Sequence, residues 1–212
     1  YTQLGLKPMR FLLFSDVHAD LDACRSLVSR ASDANVVVGA GDFCRMRRNL
    51  QRPIDTLSAI DTPTVLVPGT AETEEELEDA CADWPSAHVL HGTGCTINGV
   101  DFYGLGGGVP ITPFGAWSYD LSEGEAERLL AECSQGAVLV SHSPPKGVVD
   151  RDSKGQSLGS TAIRTTIEEK DPILTICGHI HGSWGQEDTL GSTPVVNAGP
   201  DGLFWEVSTS DA

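Results

Sequence analysis

Six side chains able to ligate metal stand directly after short apolar runs. Asp16-Val17-His18 follows Phe11 to Phe14, and Gly41-Asp42 follows Val36 to Val38. His142 follows Val138 to Val140, and Gly178-His179-Ile180-His181 closes a run that ends at Cys177. A lone histidine is ordinarily a surface or core residue, so the joint placement carries the signal. Two carboxylates and four imidazoles make a mixed oxygen and nitrogen donor set. Such a set suits Mn, Fe, Zn, Co or Ni better than Ca or Mg, which prefer oxygen alone. Six donors are too many for one ion that keeps a position open. Two ions roughly 3.5 Å apart, bridged by a carboxylate, account for all six and match two-metal hydrolysis. Ser141-His142-Ser143 does not make a serine hydrolase, because adjacent residues on a strand point to opposite faces. The sequence has no nucleophile elbow, Walker loop or catalytic-cysteine signature.

The elements that must position these donors follow from periodicity. Strands are expected near 10–15, 35–38 and 64–67, with helices at 20–31 and 50–60 between them, a βαβαβ order that demands parallel strands. Thr73-Glu74-Glu75-Glu76 has the form of a capping box and opens a short acidic helix to about Ala82. From Val89 to Leu105 short strands join through Asn98-Gly99, a dipeptide suited to a type I′ hairpin, so the sheet turns mixed. Further on, a helix is expected at 122–133, a strand at 137–141, a helix at 160–169, a strand at 172–177, and two strands around Asn197-Ala198-Gly199. Parallel strands deliver their carboxyl ends, and the donors on them, to one crevice. The fold class expected is α/β, a two-layered mixed β-sheet sandwich flanked by helices.

The chain has 212 residues, 14 Lys and Arg against 30 Asp and Glu, and a net charge of −16. That length suits one ordinary core. The charge repels phosphate backbones and anionic lipid, so nucleic acid and membranes are not expected partners, and an anionic substrate must be drawn by bound cations. The six cysteines form no Cys-x-x-Cys pair and read as reduced, buried thiols, which places the protein in the cytoplasm. Residues 1–8 read as an upstream extension or expression remnant, and 9–212 as a single domain.

Asp-x-His, Gly-Asp, Ser-His-x-Pro-Pro and Gly-His-x-His, in this order, resemble the motifs of the calcineurin-like metallophosphoesterase family, over nearly the whole chain from Met9. The resemblance implies that Asp16, His18 and His181 hold one metal ion, that Asp42 bridges, and that His142 and His179 hold a second. It implies two divalent ions as cofactors, manganese foremost, and a small phosphoester as substrate. One motif departs. Where the family carries Gly-Asn-His-Asp/Glu, this chain reads Gly69-Thr70-Ala71-Glu72. The amide ligand and the histidine over the scissile phosphate are both absent.

Thr70 offers a hydroxyl as a substitute ligand, poorer than an amide carbonyl. Glu72 is read as a carboxylate that orients a ligand or caps the acidic helix, and it is also a candidate acid. The expected activity is hydrolysis of a phosphodiester or phosphomonoester by water that two cations acidify, with Asp42, His142 and Glu72 as the catalytic candidates and good leaving groups favoured. The alternative is a catalytically weak or inert scaffold on the same fold. Among other residues, Arg45, Arg47, Arg48 and Arg164 either grip a phosphate or face solvent, and His88 and His91 are expected at an exposed edge. Asn197 has the look of a backbone-turn residue. Gly106-Gly107-Gly108, with Phe114, Trp117 and Tyr119 after it, marks a loop beside a substrate cleft. Substrate identity, metal identity and oligomeric state are not written in the sequence.

Overall fold

Strands buried on both faces explain why the apolar runs are nearly continuous rather than alternating. In the computed structural model, which describes residues 7–209, β1 (Lys7–Phe14) turns Met9, Phe11 and Leu13 to one side and Leu12 and Phe14 to the other. The same split recurs in β2 (Val36–Gly39), β3 (Thr64–Leu66), β7 (Val138–Ser141) and β8 (Leu174–Cys177). Phe11, Leu13, Val36, Val38, Phe102, Val138, Val140, Leu174 and Ile176 fill the space between two sheets. Leu12, Phe14 and Val37 instead meet α1 (Leu21–Ala31), α2 (Gln51–Leu57) and α3 (Glu74–Ala80). On the opposite outer face, Leu139, Cys177 and Val195 pack with α4 (Glu123–Leu130) and α5 (Thr161–Lys170). The four layers run helix, sheet, sheet, helix, as the composition of the runs led us to expect.

The remaining strands are β4 (Ala87–Val89), β5 (Thr93–Ile97), β6 (Val100–Leu105), β9 (Glu187–Leu190), β10 (Thr193–Asn197) and β11 (Leu203–Thr209). One sheet has the order β11-β1-β2-β3-β4 and the other β5-β6-β7-β8-β10-β9. All neighbours are parallel except at β1·β11, β5·β6 and β9·β10. The chain therefore changes sheet once after β4, and β11 returns to close the first sheet beside β1. Asn98 and Gly99 turn the β5–β6 hairpin with φ of 52° and 80°, the positive values that a type I′ turn requires.

Helix starts follow the capping rules except at α2, where Leu50 makes no side-chain cap bond. Asp20 accepts the N–H groups of Asp22 and Ala23 to open α1. Thr73 and Glu76 form the capping box of α3, and Ser122 and Glu125 form a second one on α4. One strand carries no sequence signal, and another starts two residues before the expected Val89 and joins a different sheet. β9 is an edge strand with exposed Glu187 and Asp188, so it lacks the apolar alternation that marks a half-buried strand. β4 has only three residues, and it belongs to the first sheet rather than to the hairpin that follows it. Lys7 and Pro8, which the sequence reading left outside the fold, extend β1 by pairing with Thr209 and Ser208; the rest of the expected extension, 1–6, lies outside the described residues. Among the described residues, no helix is long and apolar enough to cross a membrane.

Candidate metal centre

Both sheets present the carboxyl ends of parallel strands at the same rim of the sandwich. Asp16 and His18 follow β1 and Asp42 follows β2 in one sheet; His142 follows β7, and His179 and His181 follow β8, in the other. The crevice is thus shared between two sheets, whereas a single sheet would have spread the donors along its edge. The loops are knitted together by their backbones. Asp16 N–H donates to the Gly41 carbonyl, His18 N–H to that of Asp42, and Gly178 N–H to that of His142, at 2.8 to 3.0 Å. Asp16, His18, Asp42 and His179 all have left-handed backbones, with φ between 45° and 64°. That conformation costs an L-residue about 1–2 kcal/mol and persists only where the surroundings over-determine it.

Two glycines permit the approach. A Cβ on Gly69 would land on the Asp42 amide nitrogen and Oδ1, and a Cβ on Gly178 would land on Asp16 Oδ2. Ser15 completes the seam, its hydroxyl donating to Asp16 Oδ2 while accepting from Gly199 N–H at 3.0 Å. The His179 N–H also points at Asp16, 3.0 Å from Oδ2.

The donors fall into two groups of three, Asp16 with His18 and His181, and Asp42 with His142 and His179. His18 Nδ1 faces the Cys44 carbonyl at 3.2 Å and His142 Nδ1 faces that of Ala40 at 2.7 Å. Each carbonyl fixes its neutral imidazole with the proton on Nδ1, which leaves the Nε2 lone pair free for the centre. His18 Nε2 then lies 3.2 Å from His181 Nε2. Nitrogens at that distance can share one cation or one proton. His142 Nε2 is buried and has no hydrogen-bond partner, a costly state for a polar atom unless an ion completes it. Asp42 spans the groups, with Oδ2 3.7 Å from His18 Nε2 and Oδ1 3.5 Å from His142 Nε2. By donor chemistry and by the orphaned His142 Nε2, the residues fit divalent transition ions.

The titration behaviour agrees with a cation site. Burial pushes Asp16 above the ordinary carboxylate range. Burial would do the same to Asp42, but the imidazoles of His142, His18 and His179 outweigh it and hold that carboxyl low. His142 is raised, because Asp42 and Asp16 outweigh its own burial. His179 is pushed down to about 3 by burial and by His142, so it is neutral and ready to ligate near pH 7.

The departed motif takes an unexpected form. Glu72 neither caps α3, whose cap is Thr73, nor faces the donors. It is wholly buried, and Oε1 accepts from the N–H groups of Asp42 at 2.7 Å, Gly69 at 2.7 Å and Phe43 at 3.3 Å. Oε2 accepts from Cys44 N–H at 3.3 Å. Glu72 is a strut between the β2 and β3 loops, with its pKa raised to about 7 by burial and by the Asp42 charge. Of the two roles expected for this carboxylate, the cap falls to Thr73, because carboxylates crowd the start of α3 and nothing in the chain order says which one turns inward, whereas the hold on the Asp42 turn is the ligand-orienting role. Thr70 is buried as well, and its hydroxyl donates to Asp42, 3.1 Å from Oδ1 and 3.2 Å from Oδ2. Ala71 donates its N–H to Asp42 Oδ1 at 2.8 Å. Glu72→Ala would leave four buried donors without an acceptor, each worth roughly 1–3 kcal/mol. We expect denaturant unfolding to show a loss of at least about 3 kcal/mol, partly recovered in Glu72→Gln; an unchanged midpoint would remove the strut role.

Other candidates separate cleanly. Arg45 reaches the centre, with Nε donating to the His18 carbonyl at 2.7 Å. Arg47 pairs with Glu76, and Arg164 with Glu168 and the Lys146 carbonyl, so neither is brought to the donors. His88 is exposed as expected, but His91 is buried. Its Nδ1 accepts from Gly106 N–H at 3.1 Å and its Nε2 faces the Tyr119 hydroxyl at 3.2 Å. The cause is the change of sheet after β4, which folds the glycine-rich loop over this histidine. Asn197 spends its amide N–H groups on the carbonyls of Gly178, Ile180 and Val149, supporting the loop that carries His179.

An open cleft of about 450 Å³ lies over the first group, lined by His18, Asp42, Arg45, Met46, Ala71, Trp117, His181 and Trp184. Met46 and Trp184 were not singled out by sequence. Trp184 stands three residues after His181, and its ring lies on that imidazole with centroids 4.1 Å apart.

A family model described as a calcineurin-like phosphoesterase superfamily domain matches residues 9–204. A comparison with curated protein sequences finds no match. Among solved structures, the chain is similar to TT1561 of Thermus thermophilus, with a TM-score of 0.74 at 19% identity over 92% of this chain and 91% of that one. It is similar to a dimetal phosphatase from Danio rerio, at 0.61 and 14% identity over 91% and 88%. It also resembles the phosphopantetheinyl hydrolase of Mycobacterium tuberculosis, at 0.59 and 14% identity over 89% and 88%. At these identities the likeness is one of fold.

Proposed function

The chain belongs to the calcineurin-like phosphoesterase superfamily, and on that premise we propose that it is a metal-dependent hydrolase of small phosphoesters with two divalent ions at its centre. The observation that carries the proposal is the placement of Asp42, whose two oxygens address the two donor groups separately. Asp16, His18 and His181 would hold one ion; Asp42, His142 and His179 would hold the other, with Asp42 shared. Ions so held acidify water and neutralise charge on phosphoryl oxygens. The protein's own part is to fix the donors. The Ala40 and Cys44 carbonyls set the imidazole tautomers, Glu72 holds the Asp42 turn, and Arg45 stands beside the centre as the one basic side chain in the cleft.

Thr70 directs its hydroxyl at Asp42, which supports a weaker second site than an amide ligand would give. The cleft holds no imidazole apart from His18 and His181 of the first donor group, which supports slow turnover of esters with basic leaving groups. Those same two observations favour the second reading, a weakly active or inert scaffold. Six intact donors weigh for the enzyme. The free cysteines, five buried and Cys95 half-buried, support a reducing compartment such as the cytoplasm, and manganese is our first choice of ion.

The test is direct. Protein loaded with Mn²⁺ should contain two ions per chain by elemental analysis and should hydrolyse bis-(p-nitrophenyl) phosphate or p-nitrophenyl phosphate above the rate of free metal. No turnover would sink the enzyme reading, and a single ion per chain would sink the two-ion arrangement.

A further inference from the structure

The walls of the cleft name a substrate class. Apart from the donors themselves, Arg45 is the only charged side chain that lines it; the rest of the lining is Met46, Ala71, Trp117 and Trp184. A sugar or polyol would find few hydrogen-bond partners there and would leave its hydroxyls unpaired, which is penalised. Both indoles are braced by another ring. Trp117 lies parallel to Phe114, with centroids 5.6 Å apart and planes 8° apart, and Trp184 lies on His181. Rings held in this way lose little freedom when a ligand stacks on them. Met46 of the lining is 52% exposed, and Phe114, stacked on Trp117, is 48% exposed, so apolar surface at the cleft is open to a ligand.

A second observation concerns the supply of a proton. Ala71 lines the cleft and supplies no proton, and the Glu72 oxygens are occupied by backbone N–H groups. A leaving group that departs as a weak base is therefore favoured. An aryloxide meets that condition, with a conjugate acid near pKa 10 as in tyrosine; an alkoxide, a far stronger base, does not.

We propose that the substrates of this site are phosphoesters whose ester oxygen bears a flat aromatic or heteroaromatic ring, received against Trp117 and Trp184. The proposal rests on the phosphoesterase reading above. In the reaction, water supplies the new oxygen on phosphorus, the P–O bond to the aryl group breaks with its electron pair going to the aryloxide, and the proton that water loses ends on the aryloxide through solvent. No oxidant or further reactant is needed.

Binding of unreactive phosphonates separates this proposal from the activity. Phenylphosphonate and cyclohexylphosphonate have similar size and the same anionic head, and differ in aromaticity. With Mn²⁺-loaded protein, titration calorimetry or quenching of tryptophan fluorescence should show phenylphosphonate binding at least about fivefold more tightly, as expected for ring stacking. The preference should vanish in Trp117→Leu and persist in Trp117→Phe. Equal affinities, or a preference that survives Trp117→Leu, would overturn the aromatic class while leaving the phosphoesterase reading intact. Failure of both phosphonates to bind would overturn the two together, because the centre would then hold no phosphoryl group.

Discussion

Asp42→Ala is expected to abolish hydrolysis of bis-(p-nitrophenyl) phosphate and to reduce the Mn²⁺ content to one ion per chain or fewer. Asp42 lies within reach of both donor groups, 3.7 Å from His18 Nε2 and 3.5 Å from His142 Nε2. Changes that merely disturb the orientation of metal ligands cost roughly 10–100-fold in affinity or activity. Removing a shared ligand should exceed that range. The variant also removes the acceptor of the Thr70 hydroxyl and the Ala71 N–H, so folding must be checked by circular dichroism. Asp42→Asn is the companion, since asparagine tolerates the left-handed backbone and keeps one oxygen, while losing the charge. It should fold as the parent does and still lose most turnover and the second ion. Two ions retained in Asp42→Asn, with activity within about tenfold of the parent, would refute the bridging role.

Ala71→His should raise turnover, and unequally. Ala71 faces the cleft with its backbone pinned, its N–H on Asp42 Oδ1 and its carbonyl accepting from Arg47 N–H at 2.9 Å. An imidazole at that position would stand over the centre as a general acid, a contribution typically worth about 10²–10⁴-fold. That contribution is felt where the leaving group is a strong base. We therefore expect glycerol phosphate hydrolysis to rise by at least about 100-fold, measured as phosphate release, and p-nitrophenyl phosphate hydrolysis to rise far less. Equal gains on both would show that protonation of the leaving group is not what the native cleft lacks. The cleft, at about 450 Å³, has room for the ring.

The donors were legible in the chain because each closes a buried strand. A parallel strand covered on both faces must be apolar throughout, so a sudden Asp or His at its carboxyl end stands out, as at Asp16, Asp42, His142 and His179. The capping box at Thr73 and the hairpin at Asn98-Gly99 were legible for the same kind of reason, since each is a local rule with its partners within about four residues. Glu72 was not. Its partners are the amides of Gly69 and of Asp42 to Cys44, and a carboxylate three residues from a loop glycine looks the same in sequence whether it turns to solvent or inward. His91 failed similarly, because its burial depends on the crossing from one sheet to the other.

What the sequence determined by itself is the inventory: six donors, their attachment to strand ends, and a missing amide and imidazole at Thr70 and Ala71. These are local, set by side-chain type and by the period of the strands. The tertiary structure decided how that inventory is used. Only the face-to-face packing of two sheets brings the β1 and β2 loops against those of β7 and β8, which places Asp42 between the groups. Only that packing sets Trp117 and Trp184, 67 positions apart in the chain, on one cleft. Contacts between loops far apart in the chain are fixed by how the sheets meet, and no local pattern encodes them.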